Sequence, residues 1–219
     1  MESLLANVLI IDCGANKGDA VRPLADDIVR ILGDDSELNL QYLALEPQFS
    51  CWNNSYIQNM RNDFVSAFKV QHRRLRNISV VVLPYLAAKK NGGRLFWWHF
   101  GSGSTISLFK AIRMSIKSLF LEQKFRHALS IFLVKWLPSL RLSDLIDAHA
   151  SLYDHIFLKL DVEGAEYEIL EDLISSGKIG MLNKIYIEFH DERVGVSPRR
   201  KTVLVSKIKL SGVEYEDWS

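Results

Sequence analysis

The chain has 219 residues, enough for one α/β domain with a sizeable core and short for two. Its 48% hydrophobic and 24% charged residues are those of an ordinary globular protein, and a formal net charge of +1 gives no global reason to expect a nucleic-acid partner. The two cysteines, Cys13 and Cys51, form neither a disulfide framework nor a zinc-ligand spacing, which points to a reducing, cytoplasmic compartment.

The opening MESLLANVLII lacks the basic segment of a signal peptide, and its apolar run serves as the first strand, Val8 to Ile11. No stretch reaches the roughly 18–20 apolar residues that a membrane-spanning helix needs. Val21, Leu24, Ala25, Ile28, Ile31 and Leu32 then recur with helical spacing, Pro23 falls in the tolerant first turn and Gly33 suits the cap. Leu40 to Leu45 is a second strand ending in Glu46-Pro47, and a polar helix covers much of Ser50 to Phe68. Ser79 to Leu83 is a third strand, and Arg94 to Phe100 reads as a β-ribbon. The loop GSGST, Gly101 to Thr105, precedes a strand near Ile131 to Val134 and a short helix from Ser143 to Ala148. The strongest strands, Ile156 to Leu160 and Lys184 to Phe189, bracket a helix with Ala165, Ile169, Leu170 and Leu173 on one face. Val213 to Trp218 adds a short strand. This alternation predicts one α/β domain over residues 1–219, Rossmann-like, with a mostly parallel central sheet and helices on both faces.

In an open α/β sheet, ligands gather outside the carboxyl ends of the strands. Two strand ends here carry acids and glycines, in VLIIDCGANKGD, Val8 to Asp19, and in LKLDVEGAEYEIL, Leu158 to Leu170. Gly14 and Gly18 allow a tight turn into a helix, and glycine lets backbone N–H groups approach an anionic ligand. Asn16 stands where a dinucleotide loop would have its middle glycine. Glu46, ending the second strand, occupies the place where nucleotide-binding folds set an acid against ribose hydroxyls, so loop and acid together point to an adenosine-type ligand.

IDCGANKGD, LALEPQ, GSGSTISL, LRLSDLID and LKLDVEGAEYEIL with IYIEFH occur in the order seen in FkbM-type methyltransferases, which the chain resembles from about Val8 to His190. The KLDVEGAE block is the most specific part. The resemblance implies a class I methyltransferase fold, S-adenosylmethionine as cofactor, and O-methylation of a hydroxyl on a sugar, glycolipid or natural product. It also implies that Asp12, Gly14, Asn16 and Gly18 line the methionine part of the cofactor. Glu46 takes the ribose hydroxyls, and Asp161 and Glu163 face the methyl-transfer site. The chain departs from the family in a longer, more basic segment at 108–128, in lacking an obvious acid at Pro84 to Ala88, and in an incomplete closing hairpin after Trp218.

An alcohol needs somewhere to send its proton, and a general base contributes a factor of order 10²–10⁴. Asp161, beside the cofactor at the end of a central strand, is the first candidate and His190 the second. The competing reading of Asp161 is a helix N-cap, and that of His190 a capped strand end. Glu163 is a further site candidate, whereas Glu166 reads as mostly structural, favouring the helix dipole. Asp161, Glu163, His190 and Asp191 could gather as an oxygen-rich cluster, yet no metal-binding motif occurs and no metal is expected. Cys13 reads as a small buried residue.

The stretch Leu108 to Leu137 sets Lys110, Arg113, Lys117 and Lys124 against Ile112, Ile116, Leu119 and Phe120. It can pack on its own domain, lie on an anionic membrane surface, or cover the acceptor pocket. Trp97 and Trp98 serve either to stack on a sugar ring or to pack the ribbon. The alternatives to a methyltransferase are an NAD-dependent oxidoreductase and a non-catalytic adenosine-ligand or membrane-surface module.

Overall fold

The computed structural model describes residues 5–16, 18, 20–32, 37–47, 54–70, 75–97, 134–191 and 196–218. Its main sheet contains β1 (Leu5–Cys13), β2 (Glu37–Leu45), β3 (Leu75–Leu83), β7 (His155–Leu160), β8 (Lys184–Ile187) and β9 (Glu214–Asp217), in the order β3-β2-β1-β7-β8-β9. Every neighbouring pair in this sheet is parallel. The direction of winding therefore reverses between β1 and β7, and the carboxyl ends of those two strands form the crevice where such sheets bind ligands.

Burial on both faces explains the uninterrupted apolar runs of β1 and β7. One face, with Val8, Ile10, Tyr42, Phe157 and Tyr186, packs under α1 (Val21–Leu32) and α2 (Asn54–Val70) through Leu24, Ile28, Met60 and Phe64. The other face, with Leu9, Ile11, Leu43, Leu158 and Ile185, packs under α3 (Leu142–His149), α4 (Glu166–Ser175) and α5 (Pro198–Leu210). The apolar stripe of α4 is the expected one, since Ala165, Ile169, Leu170 and Leu173 are all buried. In α1 the stripe turns slightly, with Val29 buried and Ile31 exposed. Gly33 lies outside the described residues.

The expected ribbon is a second, three-stranded sheet. In it β6 (Val134–Arg141) pairs antiparallel with β5 (Gly92–Trp97) and parallel with β4 (Leu86–Ala88). Helix α5 has no counterpart in the pattern read above. Its start is signalled by Ser197, which accepts the Arg200 N–H, and by Pro198 in the first turn. At the amino edge of the sheet, buried Lys184 reaches Asp27, Glu214 (3.0 Å) and Glu216 (2.6 Å), which ties β9 to β8 and α1. The GSGST loop, Trp98 and the basic insertion at 108–128 fall outside the described residues. Of the longer Leu108–Leu137 stretch, only Val134 to Leu137 is described, and these residues form the start of β6. Among the described residues, no helix is long and apolar enough to cross a membrane.

Candidate active site

Strand β1 and the turn that follows it deliver Asp12 and Gly14 to the crevice, and β7 with the residue after it delivers Lys159 and Asp161 beside them. The two strands meet so closely that a Cβ on Gly14 would lie 1.8 Å from the Asp161 carbonyl oxygen. The glycine, at φ 84°, is thus required by the junction itself. Its N–H donates to the Leu45 carbonyl at 3.0 Å, and that of Gly18 to Ala15 at 2.7 Å. The Asn16 N–H donates to Glu46 Oε2 at 2.8 Å. The N–H groups expected to be offered to a ligand at these positions are therefore spent on the protein, because the turn folds back on β2 and on itself. Of the three, the Asn16 N–H holds Glu46, which is almost wholly buried at the end of β2.

Lys159 is the residue that links the strand ends. It points to the same face as Asp12 and Asp161, with only 4% of its side chain exposed, and its Nζ lies 3.5 Å from Asp12 Oδ1 and 3.1 Å from Asp161 Oδ2. Burial disfavours the ammonium, but the two carboxylates outweigh burial and raise its pKa above the ordinary lysine range. Asp12 is fully buried and accepts a hydrogen bond from the Tyr42 hydroxyl. Cys13, one position away on the opposite face, is also fully buried, and burial pushes its thiol pKa well up. That environment fits the packing role and not a nucleophile.

Beyond β7 the chain turns through Val162, Glu163 and Gly164 into α4. The side-chain cap weighed as the competing role of Asp161 is provided by Glu166, whose fully buried carboxylate accepts the Val162 N–H at 3.1 Å and the Gly164 N–H at 3.0 Å. Ala165 stands at the N-cap position with no side-chain cap bond, so a glutamate one residue further on reaches back to the free N–H groups. This leaves the Asp161 carboxylate directed at Lys159 and His190. Glu163 sits at φ 57°, a left-handed conformation rare for a residue with a side chain.

His190, three residues past the end of β8, is buried and joins this cluster. Its Nδ1 hydrogen-bonds Glu166 Oε1 at 2.9 Å. Its Nε2 lies 3.4 Å from Glu163 Oε2, 3.5 Å from Glu188 Oε1 and 3.9 Å from Asp161 Oδ1. Burial alone would lower its pKa, but the Glu166 bond and the charges of Glu166, Glu163 and Asp161 raise it. The Glu188 pKa is raised, first by burial and then by the charge of Asp161. The structure thus brings Asp161, Glu163 and His190 together and adds Lys159, Glu166 and Glu188. Asp191, the fourth member of the cluster considered from the sequence, turns away to Tyr167 and Lys201. Lys159 could have been noticed as a charge at a core position of an apolar strand. Glu188 could have been noticed by its place two residues before His190.

The family model described as the methyltransferase FkbM domain matches residues 12–199, a span that includes every site residue named above. Neither the curated proteins nor the solved structures give a match. A methyltransferase family removes the oxidoreductase alternative.

Proposed function

The chain belongs to the FkbM methyltransferase family, and we propose that it transfers a methyl group from S-adenosylmethionine to a hydroxyl of a sugar, glycolipid or related small molecule. The observation that carries this reading is the buried Glu46 carboxylate, held by the Asn16 N–H at the end of β2, on the same carboxyl edge of the sheet as an acid–histidine cluster at the ends of β7 and β8, with β1 between them. An adenosyl cofactor suits that layout. Its ribose hydroxyls would find an acceptor in Glu46, and its sulfonium would favour the neighbourhood of carboxylates.

The cofactor supplies a methyl group that is already electrophilic. Transfer of that methyl to an acceptor oxygen would leave the cofactor's sulfur as a neutral thioether. The protein's part is alignment, which contributes up to about 7–11 kcal/mol when reacting atoms are held in line. Asp161 receives or orients the acceptor's proton, with a contribution of order 10²–10⁴. Lys159 fixes one oxygen of that carboxylate, leaving Oδ1 on the His190 side. Glu163, on its strained turn, and His190 border the place where the hydroxyl would sit.

Calorimetry on the full chain tests the reading directly. S-adenosylmethionine and S-adenosylhomocysteine should bind and NAD should not, and incubation with a glycan or lipid extract should release S-adenosylhomocysteine. Failure of both adenosyl ligands to bind would refute it.

A further inference from the structure

We propose that Asp161, Glu188 and His190 form a divalent-cation site at the carboxyl ends of β7 and β8. One donor atom from each lies within 4.8 Å of the others. A six-coordinate ion with bonds of about 2.1–2.4 Å keeps adjacent ligand atoms about 3.0–3.4 Å apart and opposite ones about 4.2–4.8 Å apart. The distances of 3.5 Å and 3.9 Å from His190 Nε2 to Glu188 and Asp161 reach that shell after an adjustment of a few tenths of an ångström.

The histidine is prepared for such a role. Only 3% of its side chain is exposed, and Nδ1 is committed to the fully buried Glu166. The other nitrogen, Nε2, makes no hydrogen bond among the described residues and faces the carboxylates. A carboxylate behind the imidazole is the support that metal-bound histidines use to set ring orientation and donor strength. Charge argues the same way. Among the described residues, Asp12, Asp161, Glu166 and Glu188 converge on one lysine and one histidine, so there these buried or half-buried carboxylates outnumber their cations. An unbalanced charge in a half-buried site is unfavourable unless an ion answers it.

One imidazole with two carboxylates suits a borderline-hard ion such as Mn²⁺. With three protein ligands, open positions remain for oxygens of an acceptor. An acceptor with two adjacent oxygens, such as a vicinal diol, would be held bidentately and its hydroxyl made more acidic, with Asp161 then orienting it through the ion and not taking its proton. That extension rests on the methyltransferase reading, whereas the cation site itself does not.

The test uses the full chain, stripped with EDTA and titrated with MnCl₂ by calorimetry and electron paramagnetic resonance. One saturable Mn²⁺ per chain is expected. Affinity should fall about tenfold or more in Glu188→Gln and in His190→Asn. It should be unchanged in Asp191→Asn, whose carboxylate faces Tyr167 and Lys201. Glu188 is half-buried, so its amide variant should fold, and thermal melting of each variant verifies this. No saturable Mn²⁺ binding by the folded parent chain, or equal binding in Glu188→Gln, overturns the proposal. S-adenosylhomocysteine binding by the stripped protein is measured in parallel. Its presence without Mn²⁺ binding sinks the cation site alone, and its absence sinks the methyltransferase reading alone.

Discussion

The carboxylate of Glu166, fully buried at the first residue of α4, meets His190 Nδ1 at 2.9 Å and so turns the opposite ring nitrogen toward Asp161, Glu163 and Glu188. The same carboxylate closes the turn after β7 by accepting two backbone N–H groups. One side chain therefore fixes both the loop that carries Glu163 and the histidine that faces it.

Glu166→Ala removes the acceptor for two backbone donors and an imidazole. The expected loss of stability is about 3 kcal/mol or more, since each unsatisfied buried donor costs roughly 1–3 kcal/mol. In a domain of this size that corresponds to a fall in melting temperature of roughly 6–12 °C. Glu166→Gln keeps one acceptor oxygen and should lie between the parent and alanine forms. A melting temperature within a degree of the parent for Glu166→Ala would rule out the bracing role.

Lys159→Met tests the buried lysine. Breaking one partner out of a buried ion pair leaves an uncompensated charge and typically costs about 3–5 kcal/mol. Asp12, fully buried beside Lys159, would be that charge. The double variant Lys159→Met, Asp12→Asn should recover part of the loss. Denaturant melts of the two single variants and the double variant give the coupling, and strictly additive effects would show that the two residues do not act as a pair.

Acid sensitivity has a local source at Asp172. Burial opposes its ionisation, but hydrogen bonds from the Arg141 guanidinium and the Ser143 hydroxyl outweigh burial and lower its pKa. A carboxylate whose pKa is depressed by folding adds stability that is fully present above its unfolded value of about 3.9. That stability is lost as pH falls through the lower folded value. Asp172→Asn should thus be less stable than the parent at neutral pH and converge with it below pH about 4. Stability measured from pH 7 to pH 2 checks this, and a gap that stays constant across the range would contradict it.

Asp161→Asn should leave affinity for S-adenosylhomocysteine nearly intact, because the amide keeps the size of the side chain. Turnover on an identified acceptor should drop by roughly 10²-fold or more, the lower end of general-base contributions. A near-normal turnover number would pass the proton-accepting role to another group, with His190 the next to test.

Much of the main sheet was legible because parallel strands buried on both faces leave apolar runs, and β1, β2, β7 and β8 are of that kind. Helix α5 was not, since only Leu204 and Ile208 are buried in it and the apolar stripe is thin. The short β4 has just three residues, too few to show a period. Asp161 and His190 could be suggested one at a time from their strand ends. Their meeting with Glu188 depends on the pairing of β7 with β8 across the intervening α4, which no local spacing encodes. Gly14 illustrates the limit from the other side. A strand–glycine–helix pattern suggests a ligand loop, while the need for glycine comes from the Asp161 carbonyl of a strand remote in sequence.

Cofactor capture by Glu46 is measured by calorimetry of S-adenosylhomocysteine with the parent and Glu46→Ala. The parent should bind, and the variant should lose about 1.5–3 kcal/mol, the range for hydrogen bonds to a charged acceptor. That loss is roughly a 10- to 150-fold weaker dissociation constant. Because Glu46 also holds the Asn16 N–H, a melting curve must accompany the titration to show that the variant is folded. Equal affinity in the parent and a folded Glu46→Ala, or no binding by the parent, would contradict the assignment of this crevice to an adenosyl cofactor.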